Sequence, residues 1–411
     1  MRTRFTGRRA AVAVAALAVL AVVGSAQAQP TRPVADTTAA TTATPRAIDP
    51  VCAPDTRAAC LLSVAAAPDG SPLDRTAQAA QDLRPYTAAD LQQAYQLPSE
   101  RLGGRQTIAV VAAYDNPYAE QDLAVYREAN QLPACTEAFP CFRRVNQRGG
   151  DEPPPGDTSW GLSINAGLQT ASAACPNCRL LLVGADSADF GDLGAAVDQA
   201  AAQGADVIVA MFGAREYAGE MDLAAHYDHP GAVITAPAGD AGFGLGNTGA
   251  QSVPAAYGTV IAVGGTSLYR DTNARGWGEM AMPTTGSGCS VYVPRPSSQA
   301  KGLCGDKRTV TDVAAVANID TPVALYSSYG YPGWLAVGGT PIAAALVGGV
   351  YALASNTDSP EPRQRLARQS RHLNDVTDGT NGQCGGSYLC TAGRGYDGPS
   401  GYGTPLGIGA F

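Results

Sequence analysis

The chain reads as an α/β protein, a doubly wound and mainly parallel sheet with helices on both faces, folded as one large domain. Three observations predict this. Short apolar runs of strand length recur at Thr107 to Ala113, Leu180 to Val183, Val207 to Met211, Val233 to Ala236 and Val260 to Val263. Helix-patterned stretches separate some of them, at Glu120 to Glu128 and Leu193 to Ala202. Strands that alternate with helices need crossovers, and crossovers cover both faces of a parallel sheet. The third signal is Leu335 to Ala354, a strand-like run, then Gly338 and Gly339, then an Ala-rich apolar helix beginning at Pro341. The glycines allow a turn too tight for a side chain, and an apolar stretch of this length predicts a fully buried helix.

In chain order, Met1 to Arg9 is basic, Ala10 to Gly24 is apolar, and Ala26-Gln27-Ala28 has the small-x-small form of a cleavage site. Residues 1–28 are therefore predicted to be a signal peptide, removed on export, which makes the protein extracellular. The apolar run is too short to span a bilayer, so no membrane attachment is expected after cleavage. The remaining chain, 45% apolar over its 411 residues as a whole, can bury a sizeable core. Loss of Arg2, Arg4, Arg8 and Arg9 with no acid takes the formal charge from −8 to −12, which argues against nucleic acid as a partner.

Residues 29–85 are rich in Thr, Ala, Pro and Asp, and predict a linker or short pro-segment with little structure. The folded domain is placed at 86–411. It opens on a helix that follows Thr87, a residue suited to cap it, with Leu91, Ala94 and Tyr95 on one face. The ten cysteines form sequence-local pairs, Cys52/Cys60, Cys135/Cys141, Cys175/Cys178, Cys289/Cys304 and Cys384/Cys390, which in an exported chain read as disulfides. Cys175 and Cys178 have the spacing of a redox or zinc motif, but no second pair of that kind accompanies them, so a plain disulfide is expected. The C-terminal region, Asp375 to Gly379 and Gly393 to Gly398, is rich in glycine and oxygen ligands. It suits either a solvated turn-rich surface or a hard cation such as calcium.

Several separate stretches resemble the sedolisins, the secreted serine-carboxyl peptidases with a subtilisin-like fold, in particular their short actinobacterial relatives. They are Tyr86 to Pro98, Ile108 to Pro117, Pro237 to Gly242, Gly264 to Ser267, Val337 to Pro341 and the C-terminal loops. The resemblance implies a Glu-x-x-x-Asp pair on one helix face, an oxyanion-side Asp, and a nucleophilic Ser at the helix turn. Here Ser163 stands in place of the Glu, Gly167 in place of the Asp, and Pro341 in place of the Ser, while Ala345 replaces a proline that usually follows. Asp240 alone matches the family pattern, and on its own its expected role is a turn residue bonding its own loop. Ser267, within a second Gly-Thr-Ser, lacks a following buried helix and is expected to be structural. A subtilisin-type triad is not indicated either: the first strand ends in Ala112 where a subtilisin places its Asp, and His226, His229 and His372 are expected to be surface or loop-packing residues.

The resemblance further implies one structural calcium, held by the side chains of Asp375 and Asp397 and the carbonyls of Val376, Gly393 and Gly395. The expected function is that of a secreted, catalytically inactive homologue, a monomer, whose former substrate cleft binds a peptide or protein segment. Two alternatives stay open. One is an active serine-type endopeptidase with a relocated site, using Ser327 or Ser328 near Gly330 with Asp240 close by. The other is a calcium-stabilised extracellular structural protein.

Overall fold

The computed structural model describes residues 47–411, apart from 53–57, 68–70, 74–77, 79–82, 139–140, 332 and 358–361. The signal peptide expected at 1–28 lies outside the described residues. Strands run β1 (Ala47–Pro50), β2 (Ser63–Ala66), β3 (Thr107–Ala113), β4 (Phe142–Asn146), β5 (Arg179–Ala185), β6 (Val207–Ala210), β7 (Ala214–Arg215), β8 (Val233–Pro237), β9 (Ser252–Val253), β10 (Ile261–Arg270) and β11 (Trp277–Ala281). They continue with β12 (Gly288–Pro294), β13 (Lys307–Val310), β14 (Val313–Val316), β15 (Val323–Ser327) and β16 (Gly333–Gly338). The main helices are α1 (Ala88–Ala94), α2 (Ala119–Ala129), α3 (Thr158–Ala174), α4 (Phe190–Ala202) and α5 (Thr340–Ala354).

All five predicted strands form, and they build one sheet. Its order is β11-β10-β8-β6-β3-β5-β4, with β14 also paired to β10, and every pairing is parallel except β10 with β11. The hairpin partner β11 closes one edge. Near-continuous apolar strands such as Ile108 to Ala113 are fully buried, as a sheet covered by helices requires.

Helix α5 is the centre of the packing. It lies against α3 on one side and against β6, β8, β10 and β14 on another. Two glycines allow this: a Cβ on Gly348 would stand 2.7 Å from Val209, and one on Gly349 would stand 2.5 Å from Ala174. Backbones therefore approach more closely than larger residues would permit. The helix starts at Thr340, one residue before the expected Pro341, which falls within its first turn, where a missing N–H costs nothing. At α1 the predicted cap is complete: Thr87 accepts from the Asp90 N–H, and Asp90 accepts from the Thr87 N–H.

The stretch at 29–85, expected to be a linker or short pro-segment with little structure, differs. Strand β2 pairs with β16, Val64 opposite Val337 and Ser63 opposite Gly338, in an antiparallel sheet ordered β1-β2-β16-β15. Its residues lack a helical or long apolar pattern because only four of them form β2, and the partner lies far along the chain. Non-local pairing of that kind leaves almost no local signal. All five disulfides join the sequence-local partners: Cys52–Cys60, Cys135–Cys141, Cys175–Cys178, Cys289–Cys304 and Cys384–Cys390.

Beside β14 an ion cluster is buried within the fold. Asp312 accepts from Arg308 at 2.5 Å and from Arg363 at 2.8 Å, with all three side chains at most 5% exposed. Burial pushes the Asp312 carboxyl up, but the two guanidiniums and the Ala262 N–H outweigh it and hold the group below the ordinary range. Removal of the acid would leave two buried cations without their counter-charge. Asp312→Ala is expected to lower the unfolding free energy by about 3–5 kcal/mol, read as a fall in the urea midpoint; a shift well under 1 kcal/mol would mean that water reaches the cluster.

Candidate functional site

The residues singled out by the resemblance come together around the start of α5. Glycine 339 precedes the helix with φ of 123°, a conformation that side chains resist, and Gly239, at the end of β8, has φ of 104°. These two turns bring Asp240 against Thr340. The Thr340 N–H donates to both Asp240 oxygens, at 2.9 and 3.1 Å, and the Thr340 hydroxyl donates to Oδ2 at 2.9 Å. The Gly239 N–H in turn donates to Thr340 Oγ1 at 3.2 Å. Asp240 thus joins two elements 100 residues apart and does not bond its own loop, which corrects the expectation for this residue.

Burial pushes the Asp240 carboxyl up to about 7, against the opposing effect of the Thr340 N–H and hydroxyl. It is a mostly neutral acid below that pH. The donors that could meet a developing oxyanion are spent or missing at this helix end. Thr340 N–H is on Asp240, Pro341 has none, and Ile342 N–H donates to Gly339 O at 3.0 Å.

Pro341 itself is buried. Ser163, on α3, is at 0% exposure, and its hydroxyl donates to the Met211 carbonyl at 3.2 Å. Gly167, one turn further on, faces the sheet. A Cβ there would be 2.7 Å from Val110 Cγ1 and 3.0 Å from Met211 Cγ, so no side chain of any kind fits without movement. The core fills the volume that a side chain at this position would need.

Ser327 and Ser328 do not meet Asp240. Ser328 donates its hydroxyl to Asp122 Oδ1 at 2.6 Å and its N–H to Oδ2 at 3.1 Å, and Asn165 donates to Asp122 Oδ2 at 2.8 Å and to Ser327 Oγ at 3.2 Å. Asp122 is 1% exposed. It was not among the sequence candidates, because one acid within an amphipathic helix is the ordinary solvated case; its burial depends on Asn165 and Ser328 arriving from other elements. Ser267 lies on β10 and accepts from Asn318 at 2.7 Å, a structural partner. His226 and His229 share Asp198, at 2.6 and 3.0 Å, and His372 accepts from Arg371.

A carboxyl pair at i,i+4 does exist, in an unexpected place. Glu216 and Glu220 are both buried, and Glu220 is pushed up to about 7, by burial first and then by the charge and hydrogen bond of Glu216, against the Tyr217 N–H. Glu216 accepts from the Gln251 and Val291 N–H groups and from the Ser290 hydroxyl. The Glu-x-x-x-Glu spacing was legible, but it falls in a 3₁₀ segment, Glu220–Tyr227, and the residues before it rather than on α3.

Of the residues expected to hold calcium, Asp375 and Asp397 both bond the loop that carries Gly393 and Gly395. Gly395 N–H donates to both Asp375 oxygens, at 3.2 and 3.0 Å, and Asp397 accepts from the Gly393 N–H at 2.9 Å and from Ser400 at 2.8 Å. Asp397 is raised to about 6, mainly by burial, with the charge of Asp375 adding to it. Both acids bond one glycine loop, and carboxylate oxygens are the donor type a hard cation takes. No group of three or more His, Cys, Asp or Glu suited to a metal occurs among the described residues, so carbonyls would have to complete the set.

The sequence profile of the Subtilase family matches residues 161–382, more than half of the chain. Among curated proteins, the chain is 32% identical to sedolisin of Pseudomonas sp. (strain 101) over 182 residues, 40% of this chain and 30% of that protein. It is 27% identical to kumamolisin of Bacillus sp. (strain MN-32) over 361 residues, 79% of this chain and 62% of that protein. The matches thus span less than two thirds of either relative. Among solved structures, Pseudomonas sedolisin complexed with pseudo-iodotyrostatin superposes with a TM-score of 0.68 at 23% identity, over 79% of this chain and 96% of that one. A lanthipeptide protease reaches 0.51 at 14% identity, over 79% and 94%. At these identities the superpositions concern the fold.

The state of Asp240 has a consequence for stability. Its carboxyl holds a proton more tightly folded than unfolded, where its ordinary value is 3.8. Its contribution is complete below about pH 4 and is lost as the pH rises through about 7. Asp240→Asn, which keeps an acceptor for the Thr340 N–H but cannot ionise, is expected to flatten the urea midpoint between pH 4 and 7; an unaltered slope in the variant would show that Asp240 is not the titrating group.

Proposed function

Because this chain belongs to the subtilase family, as a sedolisin-like protein, we propose that it is a non-catalytic homologue of the serine-carboxyl peptidases, exported from the cell, in which the former active site serves the fold. One observation carries the reading. The places of nucleophile, base and orienting acid hold Pro341, Ser163 and Gly167, and all three are buried. Acyl transfer needs an attacking oxygen, a group to take its proton and a donor for the oxyanion. A buried imino acid supplies neither the first nor the last, and the packing around Gly167 leaves no room to restore the carboxylate pair by a single substitution.

Export is supported by the basic-apolar-small sequence of residues 1–28 and by five disulfides, which persist in oxidising surroundings. Among the described residues no helix is long and apolar enough to cross a membrane. The buried site favours the structural alternative over capture of a peptide in an open cleft. The relocated-site alternative would use Ser328, the exposed serine, with Asp122 as its acid. Both oxygens of that acid already hold N–H or O–H donors.

The same reading includes one calcium ion. Asp375 and Asp397 would hold it by side chain, and Val376, Gly393 and Gly395 by carbonyl. Its charge would offset the repulsion of two carboxylates directed at one loop.

Two measurements test these proposals. A fluorescent phosphonate directed at serine nucleophiles is expected to leave the protein unlabelled from pH 3 to 8, with no cleavage of a denatured substrate; labelling that disappears in Ser328→Ala would establish the relocated site instead. Millimolar calcium is expected to raise Tm relative to a chelator, and Asp375→Asn to abolish that increment; a Tm indifferent to calcium in the unaltered protein would remove the ion from the proposal.

A further inference from the structure

Two carboxyl groups buried side by side must hold a cation or a proton between them, because two bare charges shielded from water repel strongly. Glu216 and Glu220 are such a pair, 6% and 0% exposed. A tight turn brings them together. Gly219 has φ of 94°, and the Glu220 N–H donates to Tyr217 O at 3.2 Å. The Glu220 side chain thereby folds back, so that Oε2 accepts from the Tyr217 N–H at 2.9 Å and the carboxyl is hydrogen-bonded to Glu216. Glu216 already accepts three donors from elsewhere, the Gln251 N–H at 2.7 Å, the Val291 N–H at 3.1 Å and the Ser290 hydroxyl. Glu220 Oε1, by contrast, is buried and has no donor among the described residues. No cation is among the groups that act on Glu220. An oxygen stranded in this way is satisfied by carrying the proton itself and donating it to Glu216.

The pair sits where several segments meet. Glu216 follows β7, which pairs with β9, and its partners Ser290 and Val291 lie on β12. Glu220 opens the 3₁₀ segment Glu220–Tyr227, whose two ends are also tied by the Tyr257 hydroxyl to Glu220 O at 2.7 Å and the Thr259 hydroxyl to Tyr227 O at 2.6 Å. We propose that Glu216 and Glu220 form a proton-operated latch: in acid surroundings the shared proton fastens the 3₁₀ segment to Glu216, and through it to β12, and in alkaline ones its departure to solvent loosens the segment. The groups that reach the pair from β9 and β12 are the neutral Gln251 and Val291 N–H groups and the Ser290 hydroxyl. Tyr217, Tyr227 and Tyr257 complete the cluster, and burial pushes each phenol up, so all three stay neutral as the latch titrates. Helix α4 contributes Asp198, which holds His226 and His229 at the far end of the segment.

The direction of the switch follows from the proton. Burial first, and then the charge and hydrogen bond of Glu216, push the Glu220 carboxyl up to about 7 from an ordinary 4.5, against the Tyr217 N–H. The contribution of the latch is complete below about pH 4.5 and is lost as the pH rises through about 7.

Hydrogen exchange followed by mass spectrometry on the purified full chain, at pH 6 and pH 9 and corrected for the intrinsic rate, decides the matter. Protection of residues 216–227 is expected to fall by about tenfold over that interval while β3 keeps its own. The same fall is expected in Asp240→Asn, which removes the other acid that titrates in this range. In Glu220→Gln an amide N–H takes the place of the shared proton toward Glu216, and protection of 216–227 is expected to be the same at both pH values. Equal protection at both pH values in the unaltered protein overturns the proposal, as does a fall shared equally by β3. A fall in Glu220→Gln as large as in the unaltered protein also overturns it. Should that variant not fold, the unaltered protein and Asp240→Asn remain the deciding pair: a fall confined to 216–227 in both supports the latch, and its absence from Asp240→Asn overturns it.

Discussion

The hydrogen bonds from Thr340 to Asp240 fix where α5 begins, and the rest of the site follows from that point. A helix end must find partners for its first N–H groups, and here one is met by a partly buried acid just after β8. Desolvation keeps the acid mostly neutral below neutral pH, which lets it accept from the amide without placing a bare charge beside the core. Proline in the same turn removes a second N–H that would otherwise need a partner. What in an acyl-transfer enzyme would be a set of open donors is here a closed and satisfied cap.

Close packing behind the cap reinforces the same outcome. Helix α5 reaches α3 and the sheet only because Gly348 and Gly349 present no side chains, and α3 reaches β3 and Met211 only because Gly167 presents none. Such contacts are cooperative. A larger residue at Gly167 would displace Val110 or Met211, and both are fully buried. The bare backbone at 167 is therefore built into the packing, since the helix has settled onto the sheet in the volume a side chain would need.

The chain's early residues complete the closure. Strand β2 extends the sheet that contains β16, and the segment before it pairs with Gly213 and crosses the Gly339 turn. Stability and closure are thereby the same interaction. The apolar side chains buried at Leu62 and Val64 help hold the fold, and the backbone beside them covers the site.

The sequence by itself determined the class of fold, five strands of the central sheet, the cysteine partners and the residues at 163, 167 and 341. Each of these rests on local pattern, on alternation of strand and helix, on short cysteine spacing, or on the identity of a residue within a motif. It also carried Asp240 as the one retained position. Only the tertiary structure decided what Asp240 bonds, that Ser328 belongs with Asp122, that Glu216 and Glu220 form a buried pair, and that residues 58–66 are an integral part of the domain. The physical reason is common to all four. Each is a contact between segments distant in sequence, made by side chains or backbone groups that in isolation would be ordinary and solvated, and it acquires its character only when burial removes water and leaves one partner to bond.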